Sequence, residues 1–139
     1  MIELFASAAA VLFLDQWSKR MVEVHLPDRG ISWEPALQLR RVTTRRILYE
    51  RESVRAVLVV VWLAALVSAL TVHRSGQGFQ SSTALFGLGC AIGGAAGNLL
   101  DILRRRGVTD FIDLGWWPAF NLADAAILGG LVVAFWPRA

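Results

Sequence analysis

Apolar residues in this chain gather into four long runs separated by polar, turn-forming segments. The first extends from about Leu4 to Val24. Only Leu4–Leu14 within it is free of charge, and Asp15, Lys19, Arg20 and Glu23 occupy its second half. The second run, Ala56–Val72, carries no charge. The third, Thr83–Leu100, ends at Asp101, and the fourth, Trp116–Trp136, encloses Asn121 and Asp124. A bilayer-crossing helix needs about 20 mostly apolar residues. The pattern therefore predicts an all-α membrane protein with four transmembrane helices at about 4–24, 56–72, 83–100 and 116–136. Pro27, Gly30 and Pro35 break any helix in the long segment His25–Arg55, where Ile31–Leu39 has room for a short strand or two. The remaining connections are shorter: His73–Ser82, with Gly76 and Gly78, and Asp101–Gly115, with Arg104, Arg105 and Arg106. Four spans put both termini on one side of the membrane.

Composition points the same way. The 139-residue chain is 55% hydrophobic and 18% charged, with mean hydropathy +0.51, whereas soluble domains run at about 45–50% and about 25%. A domain this small cannot hide that excess in a soluble core, so one integral-membrane domain over residues 1–139 is predicted. Disorder is excluded by the apolar content, and a disulfide scaffold by the lone Cys90. The N-terminus does not read as a cleaved signal peptide, since it lacks a basic start and a small-residue cleavage site. Trp116, Trp117 and Trp136 bracket the last span as interfacial aromatics do. The chain is basic, with a pI near 10.0. Its hydrophobicity argues against nucleic acid as the partner, and Arg104–Arg106 read most simply as contacts to lipid phosphates. Arg74 and Arg138 lie on the side of the termini, while Lys19, Arg20 and ten further arginines lie on the other. The positive-inside rule, taken alone, places the termini outside.

Ionisable residues inside spans are expensive and mark function. Asp101 and Asp124 each close the same local pattern, Asn98-Leu99-Leu100-Asp101 and Asn121-Leu122-Ala123-Asp124. Residues three apart share a helix face, so each asparagine can support its aspartate or a shared ligand. If the last two helices are neighbours, the two carboxyls meet near the same membrane face. Two close carboxyls share a proton, which provides one base and one acid as in an aspartic protease. The competing readings are a structural pair and a proton or cation path. Gly89, Gly93 and Gly97 recur every four residues, as in helices that pack closely in lipid, and Gly97 has room to offer a substrate backbone. Asp15 and Lys19, spaced i, i+4, fit an ion pair of structural kind. Asp110 and Asp113 lie in the third loop, with Asp110 placed to brace the site. His25 and His73 stand far apart, and with one Cys no zinc-type ligand set exists. No serine nucleophile pattern or phosphate-cradling glycine loop is present.

Four motifs in order, Asp15-Gln16-Trp17-Ser18-Lys19, Gly93 to Asp101, Gly107-Val108-Thr109-Asp110-Phe111-Ile112, and Trp117-Pro118-Ala119-Phe120-Asn121-Leu122-Ala123-Asp124, resemble bacterial lipoprotein signal peptidase (signal peptidase II). The resemblance implies an intramembrane aspartyl endopeptidase that cuts the signal peptide of a prolipoprotein before a diacylglyceryl-modified cysteine. By motif position it implies Asp101 and Asp124 as the catalytic dyad, Asn98 and Asn121 beside them, and Asp15 and Lys19 as support or substrate contacts. It implies a monomer in the bacterial inner membrane, with cytoplasmic termini and the dyad near the outer face. It also implies a small extracytoplasmic sheet and short helix between spans one and two. No metal or organic cofactor is expected; prolipoprotein and membrane lipids are the expected partners, with no nucleic acid. Two features depart from the family pattern. Leu39–Ile47 lacks the usual Asn-x-Gly stretch, and Ile102 stands where an arginine usually follows the first aspartate. These departures leave a non-catalytic relative that binds lipoprotein or inhibitor as the second reading, and a small proton-coupled transporter as the third.

Overall fold

The computed structural model describes residues 1–28, 30–33, 36–43, 52–105 and 107–136. Four helices dominate: α1 (Ile2–His25), α2 (Glu52–Arg74), α3 (Ser82–Arg105) and α4 (Leu122–Ala134). Three strands, β1 (Ile31–Trp33), β2 (Leu37–Thr43) and β3 (Thr109–Asp113), form one antiparallel sheet in the order β1-β2-β3. Ile31 pairs with Leu39, and Gln38 with Asp113. The strands expected after the first span are therefore joined by a third from the loop between α3 and α4. A short helix is also expected in the first insertion, of which residues 29, 34, 35 and 44–51 lie outside the described residues.

The fourth helix starts later than the apolar run suggested. β3, a turn at Gly115 (φ +81°) and an isolated bridge between Ile112 and Phe120 occupy the stretch before it. Asn121 then caps α4: its side chain accepts from the Asp124 backbone N–H, and the Asp124 carboxylate accepts from the Asn121 backbone N–H. This reciprocal capping box satisfies two orphan donors and fixes the start of the helix at Leu122. Among the described residues, α3 is long and apolar enough to cross a membrane, while Val59–Arg74 and Leu122–Ala134 are shorter apolar helical stretches.

α3 is the central helix, packed along α1 and α4 and touched more lightly by α2. Glycines permit the close approach. A Cβ on Gly87 would lie 2.6 Å from the Gly130 carbonyl oxygen, and one on Gly93 would collide with the Ala8 backbone. Gly87→Ala should lower stability by about 1–3 kcal/mol through overpacking, seen as a lower melting midpoint in detergent. Gly129→Ala, with nothing within 4 Å, should leave the midpoint unchanged or slightly raised.

The interior inverts the usual order. The largest fully buried side chains are Lys19, Leu4, Asn121, Asp15 and Asp101, whereas Ile2, Phe13, Val60, Leu128 and Phe135 are exposed. An apolar exterior around a polar centre suits a lipid solvent, in which polar groups must find partners inside the protein.

Candidate active site

The polar centre lies where the C-terminal halves of α1 and α3 meet the start of α4. Asp15 and Lys19 share a face of α1, one turn apart. The Lys19 ammonium, fully buried, lies 2.8 Å from Asp15 Oδ2, 2.7 Å from Asp101 Oδ2 and 3.1 Å from Asn98 Oδ1. Three acceptors surround a group with three hydrogens. The Asp101 contact is an ion pair by distance without hydrogen-bond alignment, so buried Asp101 Oδ2 accepts no hydrogen bond among the described residues. Gln16 Nε2 donates to Asp101 Oδ1 at 3.0 Å, to Asp15 Oδ2 at 3.2 Å and to the Gly97 carbonyl at 3.2 Å. Asp15 Oδ1 accepts from the Ala123 N–H at 3.0 Å, which sets the positive end of α4 against a cluster holding one more carboxylate than ammonium.

Gly97 belongs to this cluster. A Cβ there would collide with Asp15 Oδ2, so the space that the sequence suggested for a substrate backbone is filled by the Asp15 carboxylate.

Asn98 is the hub between two groups. Because its Oδ1 faces Lys19, its Nδ2 must point the other way, and it donates to Asp124 Oδ1 at 2.7 Å. The same logic orients Asn121, whose Oδ1 accepts from the Asp124 N–H at 2.9 Å. Its Nδ2 then faces three acceptors: Asn98 Oδ1 at 3.0 Å, the Thr109 carbonyl at 3.3 Å and Asp110 Oδ1 at 3.0 Å. Asp110 and Asp124 thus both touch Asn121. Asp101 and Asp124, expected to meet, are linked at two removes, through Lys19 and Asn98. Asp101 is 1% exposed, while Asp124 is partly exposed and lines a cavity of about 440 Å³ with Trp117, Phe120 and Leu128.

Sequence reasoning missed Gln16, although a polar amide in an apolar run was itself a signal. The Thr109 carbonyl and Ala123 N–H carry no side-chain signal at all. Asp113 lies outside the site. It pairs with Arg40 across the sheet and accepts from the Gly115 N–H at 2.8 Å; these contacts, the Gly115 bond foremost, hold its carboxyl below the ordinary range. A depressed folded value gives stability that is present above the unfolded pKa and lost as pH falls through the folded one. Asp113→Asn should therefore flatten the acid loss of melting temperature that sets in as pH falls below about 4. Arg105 pairs with Glu23, joining the ends of α3 and α1. Ile102 is buried and faces an apolar cleft with Val61 and Leu99. Trp116 and Trp117, 78% and 52% exposed, form an edge-on pair just before α4, as suits an interfacial belt.

Residues 7–137 match the family model described as signal peptidase (SPase) II. The lipoprotein signal peptidase of Nitratidesulfovibrio vulgaris is 33% identical over 140 residues, covering 92% of this chain and 84% of that protein. The lipoprotein signal peptidase of Syntrophomonas wolfei is 36% identical over 132 residues, covering 93% and 88%. Two solved bacterial membrane enzyme structures share the fold, with TM-scores of 0.73 and 0.75 at 17% and 18% identity. They cover 94% of this chain and 83% and 88% of theirs.

Proposed function

The chain belongs to the signal peptidase II family, and on that premise we propose that it is an intramembrane aspartyl endopeptidase cutting diacylglyceryl-modified prolipoproteins before the lipidated cysteine. It is a membrane protein and a protease by family, and supports lipoprotein signal-peptide cleavage. The finer reading rests on one observation: a single asparagine, Asn121, holds both Asp110 and Asp124 at the start of α4.

These two carboxyls are the working pair in this reading, and Asp101 is structural. Catalytic carboxyls must meet water and the scissile bond. Asp101 is 1% exposed and ion-paired with Lys19, whereas Asp110 is 8% exposed and Asp124 is partly exposed. Asp110 and Asp101 thus exchange the roles that the sequence suggested for them. One carboxylate of the Asp110–Asp124 pair removes a proton from water as its oxygen adds to the scissile carbonyl carbon. The other, protonated, gives its proton to the nitrogen as the C–N bond breaks. The pair then holds the same single proton on the opposite carboxyl, and exchange with solvent resets it.

The polypeptide is read as four spans with cytoplasmic termini, a monomer in the inner membrane, the sheet and site lying toward the outer face. Lys19 is buried in the ion cluster, and Arg40 and Arg105 are paired with acids. The arginine excess on that side is thus partly tied up within the protein. A reporter fused at the C-terminus should read as cytoplasmic; an extracytoplasmic signal would overturn this orientation.

The deciding assay is release of the signal peptide from a diacylglyceryl-modified prolipoprotein by the purified chain. Cleavage by wild type, none by Asp124→Asn, and none by well-folded Asp110→Asn is the expected pattern. No cleavage by folded wild type, with a related enzyme active on the same substrate, would overturn the reading in favour of a binding relative.

A further inference from the structure

α2 is fastened to the rest of the bundle at one end. Among its described residues Ala69 is the buried one, joining Leu4, Leu85, Leu88 and Ala134 in the apolar core. Just beyond it, the turn into α3 forms a clasp. His73 Nδ1–H donates to the Phe79 carbonyl at 2.8 Å, and Gln80 Nε2 donates back to the His73 carbonyl at 2.7 Å. Phe79 is held at φ +55°, a left-handed conformation that a bulky residue keeps only where its surroundings enforce it. Its ring packs edge-on against Phe135 at the end of α4, with centroids 5.3 Å apart.

Towards its other end the helix is loose. Val57, Val60, Val61 and Leu63 are exposed. One polar bond among the described residues ties this stretch to α3, from the Trp62 indole N–H to the Ile92 carbonyl at 3.3 Å. Clefts flank that bond on both sides. One of about 330 Å³ is lined by Trp62, Ala65 and Leu99; one of about 170 Å³ is lined by Trp62, Leu66 and Ala8 of α1. α3 meets its other neighbours differently, backbone against backbone at Gly87 and Gly93. Close-packed contacts of that kind resist deformation, so α1, α3 and α4 form a fixed body. A helix edged by clefts and held by one bond is free to move against it.

We propose that α2 is a hinged strap. It pivots at its Ala69–Phe79 end, the Trp62 bond is its catch, and its far end swings away from α3 to admit substrate from the bilayer. The admission step rests on the peptidase reading above; the hinge and the catch do not. Distance from the pivot sets the amplitude. Val57 lies twelve residues before Ala69 and Val67 two, about 18 Å and about 3 Å along the helix. A tilt of about 20° displaces the first by about 6 Å and the second by about 1 Å.

Paired spin labels on the full-length protein in bilayer nanodiscs test this. Cysteines replace Phe13, exposed on α1, and either Val57 or Val67, with Cys90→Ala throughout. The Phe13–Val57 distance should be broad or two-peaked, and the Phe13–Val67 distance narrow. Equal widths at the two positions would overturn the hinge. Trp62→Phe keeps an aromatic ring and removes the donor. It should raise the long-distance population of the Val57 pair about two- to tenfold; no response would overturn the catch. Asp124→Asn saturated with uncut diacylglyceryl-modified prolipoprotein should shift the same pair to the longer distance, and an unchanged distribution would overturn admission. The first two arms need no substrate. A chain that cleaves nothing yet shows the Val57 motion would strike the peptidase reading and leave the hinge standing.

Discussion

Asp124→Asn should lower turnover of a diacylglyceryl-modified prolipoprotein by at least about a thousandfold, because general acid–base work by one positioned group is worth about 10²–10⁴ and this group has no substitute. KM should change little. The new side chain keeps the shape of the old one, and its oxygen can still accept from Asn98 Nδ2 or the Asn121 N–H. Weakening the capping box should cost no more than about 1 kcal/mol. Asp110→Asn should show the same kinetic loss with the fold intact. Asp101→Asn should behave differently: turnover per folded molecule stays within about tenfold of wild type, and the melting temperature carries the change. The measurement is kcat normalised to folded protein for the three variants. If Asp101→Asn were folded and dead while Asp110→Asn still cut, the pair would be Asp101 and Asp124 after all.

The largest effect on stability is expected at Lys19. Lys19→Met leaves Asp15 and Asp101 facing each other in a fully buried space, with their shared cation gone. Removing one partner of a buried ion pair costs about 3–5 kcal/mol, a large share of the roughly 5–15 kcal/mol that holds a domain together. Folded yield should collapse. Lys19→Met combined with Asp101→Asn should recover much of it, since the remaining Asp15 carboxylate keeps the Ala123 N–H and Gln16. Arginine is a poor replacement at Lys19, because a planar fork cannot present three hydrogens to acceptors arranged around a point. Melting curves of the single and double variants test this. Equal losses in both would show that the charge balance of the cluster is not what fails.

Much of this was legible in the chain. The helix positions followed from apolar runs bounded by turn residues, and α1, α2 and α3 lie within a few residues of their expected limits. The fourth run misled because Trp116, Trp117 and Phe120 are apolar without being helical; hydropathy does not distinguish an aromatic turn from a helix. A capping signature was there to read, an asparagine followed three residues later by an acid before an apolar run. The two Asn-x-x-Asp units look alike and do different things. Asn98 and Asp101 sit inside a helix and both turn toward Lys19. Asn121 sits outside one, and its aspartate folds back onto it. Spacing alone could not separate these cases, because the difference lies in where the helix begins. Nor could it show that Asp110 reaches Asn121, since a strand and a turn carry the chain around between them.

The bond from Asp15 to the Ala123 N–H ties the end of the chain to its beginning. During synthesis, α4 finds one of its N-terminal partners on α1, a helix made well before it. A polypeptide beginning at α3 would carry both Asn-x-x-Asp units and the aromatic turn, yet would lack the ammonium that orients Asn98 and the carboxylate that meets Ala123. Expressed by itself, that half would be inert; co-expressed with a fragment bearing α1 and α2, it would have every side chain of the polar centre. The polar centre is thus complete only when both halves of the chain are present.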